Sequence, residues 1–203
     1  MKIKHRNLEQ IRKSPQTASE FSAEKGKGGK TMIRAWDNAV GKYHHLKDAK
    51  AAQVYLLNSL SNFNNNKKNN EWREVLINKF NRYVDSYEKL KVENIGVNTR
   101  LLMDIHHNNY ITGEILRVDK TPDNEYLVTL QNRQDEIWGH ELRFRLLQIH
   151  FSNKYKCPYD SIKVGVYNFQ SEEHEYLSFD DAELKQAWNE VVNLSNRINQ
   201  VHL

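Results

Sequence analysis

The sequence predicts a mixed α/β (α+β) fold: an αβββαβ core with a mixed central sheet, a helical N-terminal region and a C-terminal helix. Apolar residues recur at spacings of three and four up to about position 90, and from Leu101 they alternate instead. The chain has 203 residues, 38% of them hydrophobic and 10% aromatic, which suffices for a packed core. We therefore expect a basic N-terminal arm over 1–30, a helical region over 31–95 and an α/β core over 96–203 that packs with it as one compact domain.

Three helices are predicted in the first half of the chain. The first begins at Thr31, the second spans the apolar residues between Ala51 and Leu60, and the third runs from Trp72 to Leu90. Between the second and third, "NFNNNKKNN" (62–70) has no apolar period and predicts an exposed loop.

Three strands in a meander should follow. They are "NTRLLMDI", "YITGEILRVD" and "EYLVTLQN", joined by the turn signals "HHNN" and "KTPDN". Strict alternation along the second of these strands places Glu114 and Leu116 on one face and turns Asp119 to the other. The paired histidines, His44–His45 and His106–His107, are expected at the surface or in a turn rather than as ligands.

The remaining elements are a helix, one or two strands and a final helix. Trp138, Leu142, Leu146 and Ile149 share one helical face, "SIKVGVYNF" predicts a strand, and "EHEYLSF" is a candidate for another. The last helix starts with Asp180 and Glu183 in the spacing of a capping box. Its apolar stripe is expected to contain four residues: Leu184, Trp188, Val191 and Ile198.

Composition excludes several classes of protein. No run of eighteen apolar residues and no apolar leader is present, so neither a membrane partner nor secretion is expected. The single cysteine, Cys157, excludes an internal disulfide framework and a zinc cluster built on thiolates. These features predict a protein of the reducing cytoplasm.

Positive charge is concentrated near the N-terminus. Residues 1–34 contain nine basic and three acidic residues, so this segment has a net charge of +6. The whole chain has a net charge of +4, so the remaining residues have a net charge of −2. A basic arm on a near-neutral body is suited to contact with phosphates or with an acidic partner. A solvated basic tail is an equally good interpretation.

The stretch "GKGGKT" (26–31) is not a phosphate-binding loop of the NTPase type. That loop needs a glycine five residues before Gly29, where this chain has Glu24, and it needs a buried strand before it. Thr31 instead can cap a helix whose N-terminus attracts anions. The residues proposed to bind nucleic-acid phosphates there are Lys25, Lys27, Lys30 and Arg34. The alternative is a glycine linker in which the lysines only aid solubility.

Four segments between positions 98 and 169 carry a family resemblance. They are "ITGEILRV", "EYLVTLQN", "ELRFRLLQIHF" and "IKVGVYNF", and in this order they resemble the RecB-type branch of the PD-(D/E)XK nucleases. Members of that branch have a Gly-x-x-Asp-Arg-like strand, an Asp/Glu-x-Lys strand and a helix with a glutamine motif. The resemblance implies a metal-dependent nuclease scaffold of the kind found in bacterial DNA repair or antiphage systems.

The catalytic motifs of that family are incomplete in this chain. Gly113 and Arg117 match the first motif, but Leu116 stands at its aspartate, and the Asp/Glu-x-Lys motif falls on residues 129–131, Thr-Leu-Gln. Gln148 matches the helix motif. Such nucleases hold a divalent cation with carboxylates, and leucine and threonine cannot replace them.

Three functions are therefore compatible with the sequence. The leading hypothesis is a catalytically degenerate domain without a cofactor, which binds nucleic acid or acts as a subunit beside other proteins. The second is an active Mg- or Mn-dependent DNase in which Glu114, Gln131 and Gln148, with Thr129, line one polar pocket. The third is a protein-interaction module without affinity for nucleic acid.

Overall fold

The computed structural model describes residues 1–23, 31–106, 108–132 and 137–201. A mixed six-stranded sheet lies between two layers of helices, and the predicted mixed α/β class is confirmed. The strands are β1 (Lys2–Lys4), β2 (Glu93–His106), β3 (Asn109–Lys120), β4 (Tyr126–Asn132), β5 (Ile162–Asn168) and β6 (Glu173–Leu177). The helices are α1 (Leu8–Lys13), α2 (Ala18–Ala23), α3 (Met32–Leu46), α4 (Ala49–Ser61), α5 (Lys67–Glu88), α6 (Leu142–Tyr155) and α7 (Asp181–Val201).

Strand β3 organises the sheet. Its outer side pairs along its length with β2, and its inner side pairs first with β1 and then with β4. The order continues through β5 to β6; the β1–β3 and β4–β5 pairs are parallel and the others antiparallel. The chain thus forms the predicted β2–β3–β4 meander and crosses through α6 to reach β5, as a parallel neighbour requires.

Each face of the sheet has its own apolar cluster. Helices α1, α2, α6 and α7 cover one face, where residues such as Ile115, Val128 and Val164 are buried. Helices α3, α4 and α5 cover the other, with Trp36 and Phe80 at its centre. Alternating strand residues therefore meet different helical layers.

The first 23 residues are part of the core rather than an arm. β1 pairs with Tyr110–Thr112 of β3, and Ile3, Leu8 and Ile11 are completely buried. The arm predicted over 1–30 is thus a strand and two helices over 1–23, and residues 24–30 lie outside the described residues. β1 and α2 are too short for a periodic signal, so their tertiary contacts define them.

Capping explains where several helices begin. The Thr31 hydroxyl accepts a hydrogen bond from the Arg34 backbone N–H, and Asp180 and Glu183 form the predicted reciprocal capping box. Helix α5 starts at Lys67, inside the predicted loop, because the Asn66 side chain accepts from the Asn69 N–H and caps it.

Two tryptophans depart from the predicted helical stripes. Trp138 is buried but precedes α6, which begins only at Leu142. Trp188 is exposed on α7, where Ala187 and Leu194 are buried in its place. The other predicted stripe residues are all buried, so each stripe is confirmed apart from its tryptophan; they are Leu142, Leu146 and Ile149 of α6 and Leu184, Val191 and Ile198 of α7.

The described helices include no candidate for a membrane span, since none combines the required length with sufficient apolar character.

Candidate functional site: a buried polar network on the sheet

Two consecutive residues of β3, Leu116 and Arg117, face the same helical layer. Leu116 belongs to the apolar cluster of α3–α5, and Arg117 bonds to a tyrosine of α5. Their neighbours Ile115 and Val118 belong to the opposite cluster. Across the ladder, Asn98 of β2 adopts a left-handed conformation, with φ 47°. This break in the pleat brings charged residues of β3 onto the face that α5 covers.

The guanidinium of Arg117 is the centre of a buried network. Its Nε donates a hydrogen bond to the carboxylate of Asp119 and its Nη1 to the hydroxyl of Tyr83, at 2.8 Å. Its Nη2 donates to the hydroxyl of Tyr176 at 2.9 Å and to Nδ1 of His174 at 3.3 Å. Arg117 is 0% exposed, so protein groups replace its hydration shell.

The Asp119 carboxylate balances this charge. It is fully buried, and its Oδ2 accepts from Arg117. Its Oδ1 accepts from the Tyr87 hydroxyl at 3.1 Å and from the Asn94 Nδ2 at 2.9 Å. The prediction that Asp119 points away from the face of Leu116 is therefore wrong, because the pleat of β3 changes phase between the two residues.

Two histidines extend the network. Nδ1 of His174 accepts from Arg117, so Nε2 carries the proton and lies 3.3 Å from the Ser86 hydroxyl, which itself donates to the Tyr83 carbonyl. The Tyr83 hydroxyl accepts from Arg117, so its own proton is directed to Nε2 of His44, at 2.6 Å. His44, expected at the surface, is buried.

Electrostatics keep both imidazoles neutral. Burial and the Arg117 charge lower the pKa of His44 to about 3 and that of His174 to about 2. Burial by itself would lower the pKa of Arg117, but the oxygens of Tyr83, Tyr176 and Asp119 raise it. The network therefore contains one permanent cation paired with one carboxylate.

Protonation of the buried histidines should make stability depend on pH. Because burial depresses the pKa of His44 and His174 below the unfolded value of about 6.5, the unfolded chain binds more protons below that pH. We expect the free energy of unfolding to fall by about 1.4 kcal/mol per pH unit for each histidine as the pH drops from 6.5 to 5. Urea unfolding at pH 7, 6 and 5 measures this slope. His174→Gln should reduce this slope by about one proton, and an unchanged slope in His174→Gln would contradict the assignment.

Tyr176 closes the network on the β6 side. Its hydroxyl lies 2.8 Å from the Thr129 hydroxyl and accepts from Arg117, so the ring spans β5 to reach β4 and β3. Gly165 makes this possible. A Cβ at position 165 would lie 2.7 Å from Tyr176 Cδ1 and 1.9 Å from the Glu175 carbonyl oxygen.

Aromatic rings seal the network on the α3 side. Trp36 packs edge-to-face on Tyr83, with ring centroids 5.6 Å apart, and stacks on Tyr167 at 5.9 Å. The side chains of these three residues are completely buried. The network is thus an interior feature of the fold, closed on the side that α3 and α5 cover.

A groove of about 510 Å³ runs beside the network, between α5 and the β5–β6 turn. His174 and Ser86 line it and also belong to the network. Glu172, at the rim of the groove, forms ion pairs with Lys79 of α5, at 3.0 Å, and with Arg82 of α5, at 2.7 Å. The imidazole of His174 stands between this groove and Arg117.

Three residues of the predicted catalytic pocket lie on the α3–α5 side of the sheet. Glu114 is exposed and pairs with Arg100 in the ladder to β2. Thr129 is buried and bonded to Tyr176. Gln131 is partly buried, and its Nε2 has no hydrogen-bond partner among the described residues.

Gln148 does not join them. It lies on α6, on the opposite face of the sheet, where its Nε2 donates to the carbonyls of Tyr159 and Phe179. Its Oε1 accepts from the Phe179 N–H at 2.9 Å. Gln148 therefore anchors the segment that precedes α7, and the four-residue pocket expected from the sequence is not assembled.

Of the four residues predicted to bind phosphate, the structure describes one. Lys25, Lys27 and Lys30 lie outside the described residues. Arg34 is exposed in the first turn of α3, next to the Thr31 cap.

The donor set of the network does not fit a divalent cation. Magnesium and manganese need several carboxylate or other hard oxygen ligands, and both oxygens of Asp119 are already bonded to Arg117, Tyr87 and Asn94. In the described ranges, no three or more His, Cys, Asp or Glu side chains are grouped to hold a metal ion.

Comparison with known proteins supports the fold. No family model matches the chain, and no curated protein matches it. A crystal structure of a "putative exonuclease" from Eubacterium rectale matches 87% of this chain and 70% of its own, with a TM-score of 0.51 and 11% sequence identity. The structure of SSO0001 aligns over 96% of this chain and 86% of its own, with a TM-score of 0.36 and 9% identity. The chain thus has a fold similar to that of the Eubacterium rectale protein.

Proposed function

We propose that this chain is a catalytically degenerate nuclease-like domain that binds nucleic acid or serves as an accessory subunit of a bacterial DNA repair or antiphage defence complex. One observation carries the proposal. The strand that carries the first metal-binding acid in the nucleases that the sequence resembles has Leu116 at the position of that acid, and two of its charged residues, Arg117 and Asp119, form a completely buried ion pair.

The Arg117 guanidinium has a structural role in this network. It is a permanent, planar cation with donors in a fixed geometry, and here it pairs with Asp119 and binds the oxygens of Tyr83 and Tyr176. It cannot polarise a phosphate or generate hydroxide as a metal does. The network therefore holds β3, α5 and β6 together without supplying the chemistry of a metal centre.

Burial supports the same conclusion. Arg117, Asp119, Tyr83 and Thr129 are all 0% exposed, so a phosphodiester cannot approach them without local unfolding. Catalytic groups must lie within hydrogen-bond reach of the substrate.

Nucleic-acid contact would take place at the start of α3. Arg34 is exposed beside the N-terminus of that helix, and three lysines precede it in the sequence. Backbone N–H groups at a helix N-terminus and nearby basic side chains suit a backbone phosphate. The third hypothesis, a pure interaction module, differs in having no such affinity.

We expect binding without cleavage. The chain should bind single- or double-stranded DNA with an affinity that falls steeply with salt, and it should leave labelled DNA intact in the presence of Mg²⁺ or Mn²⁺. The triple variant Lys27/Lys30/Arg34→Ala should reduce the slope of log K against log salt by about one for each phosphate that it no longer neutralises. Fluorescence anisotropy and gel analysis of the DNA measure both.

A triple variant at Lys50, Lys67 and Lys68 is the matched control. It removes the same charge from exposed positions on α4 and α5 and should leave the slope unchanged. An equal reduction in both variants would indicate general attraction rather than a site. No binding by the unmodified chain would favour the pure interaction module.

An active DNase is the second candidate, because Glu114 is an exposed carboxylate on the same face as Thr129 and Gln131. Metal-dependent cleavage that Glu114→Ala abolishes would overturn the degenerate assignment. Cleavage that persists in Glu114→Ala would point to a contaminating nuclease.

A further inference from the structure

Strand β2 forms an open edge of the sheet. In the part of the chain that the structure describes, its 14 residues pair only with β3. An edge strand presents unpaired N–H and C=O groups to any strand that can align with it, and natural proteins usually protect such edges with lysine or proline. β2 contains neither.

The regular part of this edge is short and well defined. The left-handed Asn98 interrupts the strand on one side, and the register shifts between Asp104 and His106 on the other. Between these points the residues alternate strictly. Leu101, Met103 and Ile105 are buried against the α7 layer, while Arg100, Leu102 and Asp104 are exposed on the other face.

The exposed residues form a self-complementary pattern. We propose that two copies of this chain pair through antiparallel β2 strands about a twofold axis at Leu102. In that register Arg100 lies opposite Asp104 of the second copy, Asp104 lies opposite Arg100 of the second copy, and the two leucines meet on the axis. A twofold interface requires one patch to fit itself in this way.

The second copy offers Asp104 an opposite charge that its own chain does not place across the ladder. Residues four apart on a strand are about 13 Å apart, so Arg100 and Asp104 of one copy cannot pair with each other. Within the chain Asp104 lies opposite Tyr110. Arg100 lies opposite Glu114, so in the dimer it would lie between two carboxylates, Glu114 and Asp104 of the second copy. Leu102, 54% exposed, would also be covered.

The dimer would join two sheets into one continuous sheet. Directly opposed residues of antiparallel strands interact strongly, and opposite charges there stabilise the pairing whereas like charges oppose it. This inference is independent of the proposed nuclease-like function, because it uses neither the Arg117 network nor the basic segment.

Charge reversal tests the register. Sedimentation equilibrium of the full chain over a concentration series should show a monomer–dimer equilibrium. Arg100→Glu should raise the dimer dissociation constant about tenfold or more, because the new carboxylate at position 100 of each copy would then face Asp104 of the other copy. Asp104→Arg should have a similar effect, because it places two arginines opposite each other. The double variant Arg100→Glu/Asp104→Arg should restore dimerisation, and an equimolar mixture of the two single variants should form heterodimers.

Two further variants test whether the effects are specific to the proposed interface. Glu93→Lys, on the same strand but outside the paired segment, should leave the dimer intact, and Leu102→Glu, which leaves both ion-pair members in place, should weaken it. Far-UV circular dichroism establishes that each variant is folded. An unmodified chain that stays monomeric at all concentrations would overturn the proposal, as would a double variant that associates no better than the single ones.

Discussion

Asp119→Ala should lower the free energy of unfolding by about 3–5 kcal/mol, the largest effect that we expect of a single substitution in this chain. The change leaves the Arg117 guanidinium completely buried without its counter-charge. It also removes the acceptor of the Tyr87 hydroxyl and of the Asn94 amide. Urea unfolding at pH 7 measures the decrease.

A double variant shows what the loss of both charges costs. Arg117→Met/Asp119→Leu removes both charges, and replacing a buried pair by apolar groups is often neutral. Here the Tyr83 and Tyr176 hydroxyls and the His174 imidazole lose their hydrogen-bond donor. We therefore expect the double variant to recover only part of the free energy of unfolding that Asp119→Ala loses.

The matched control is an ion pair at the rim of the same sheet. Lys163 and Glu125 lie 2.6 Å apart, but their side chains are 39% and 33% exposed. Glu125→Ala should cost less than about 1 kcal/mol, because water screens such pairs and solvates the remaining charge. If Asp119→Ala lowers the free energy of unfolding no more than Glu125→Ala does, the network is not the rigid, desolvated unit that the proposed function requires.

Local patterns predict much of this fold because they report on single elements. The helices over 32–46 and 49–61, the β2–β4 meander and the Asp180–Glu183 capping box follow from periodicity and from side-chain caps. β1 and α2 do not, because the pairing of β1 with β3 and the contact of α2 with β1 define them. No local rule encodes such distant partners.

The polar network escaped prediction for a related reason. Strict alternation assigned Asp119 to the wrong face, since nothing in the sequence indicates the change of pleat opposite Asn98. One signal was present: Arg117 and Asp119 are opposite charges two apart in a strand rich in apolar residues, and Tyr83 and Tyr87 are four apart on a helix. Charges inside an apolar strand require buried partners, and tyrosine hydroxyls can provide them.

Gly165→Ala should cost about 3 kcal/mol, at the upper end of what overpacking usually costs. The added Cβ would lie 1.9 Å from the Glu175 carbonyl oxygen, a backbone atom that can move only if β6 separates from β5. That separation would also withdraw Tyr176 from Arg117 and Thr129. Hydrogen exchange should show reduced protection in both strands.

Gly139→Ala provides the control that identifies the cause. The Cβ there would meet only Cδ1 of Leu177, at 2.7 Å, and this side chain is 44% exposed and can rotate. Neither glycine has a positive φ, so alanine suits both backbones and both changes restrict the unfolded chain equally. The difference between the two variants therefore measures the steric contact at β6. Similar, small costs would mean that the β5–β6 pair can open easily, and the network beneath Tyr176 would then be accessible to solvent and substrate after all.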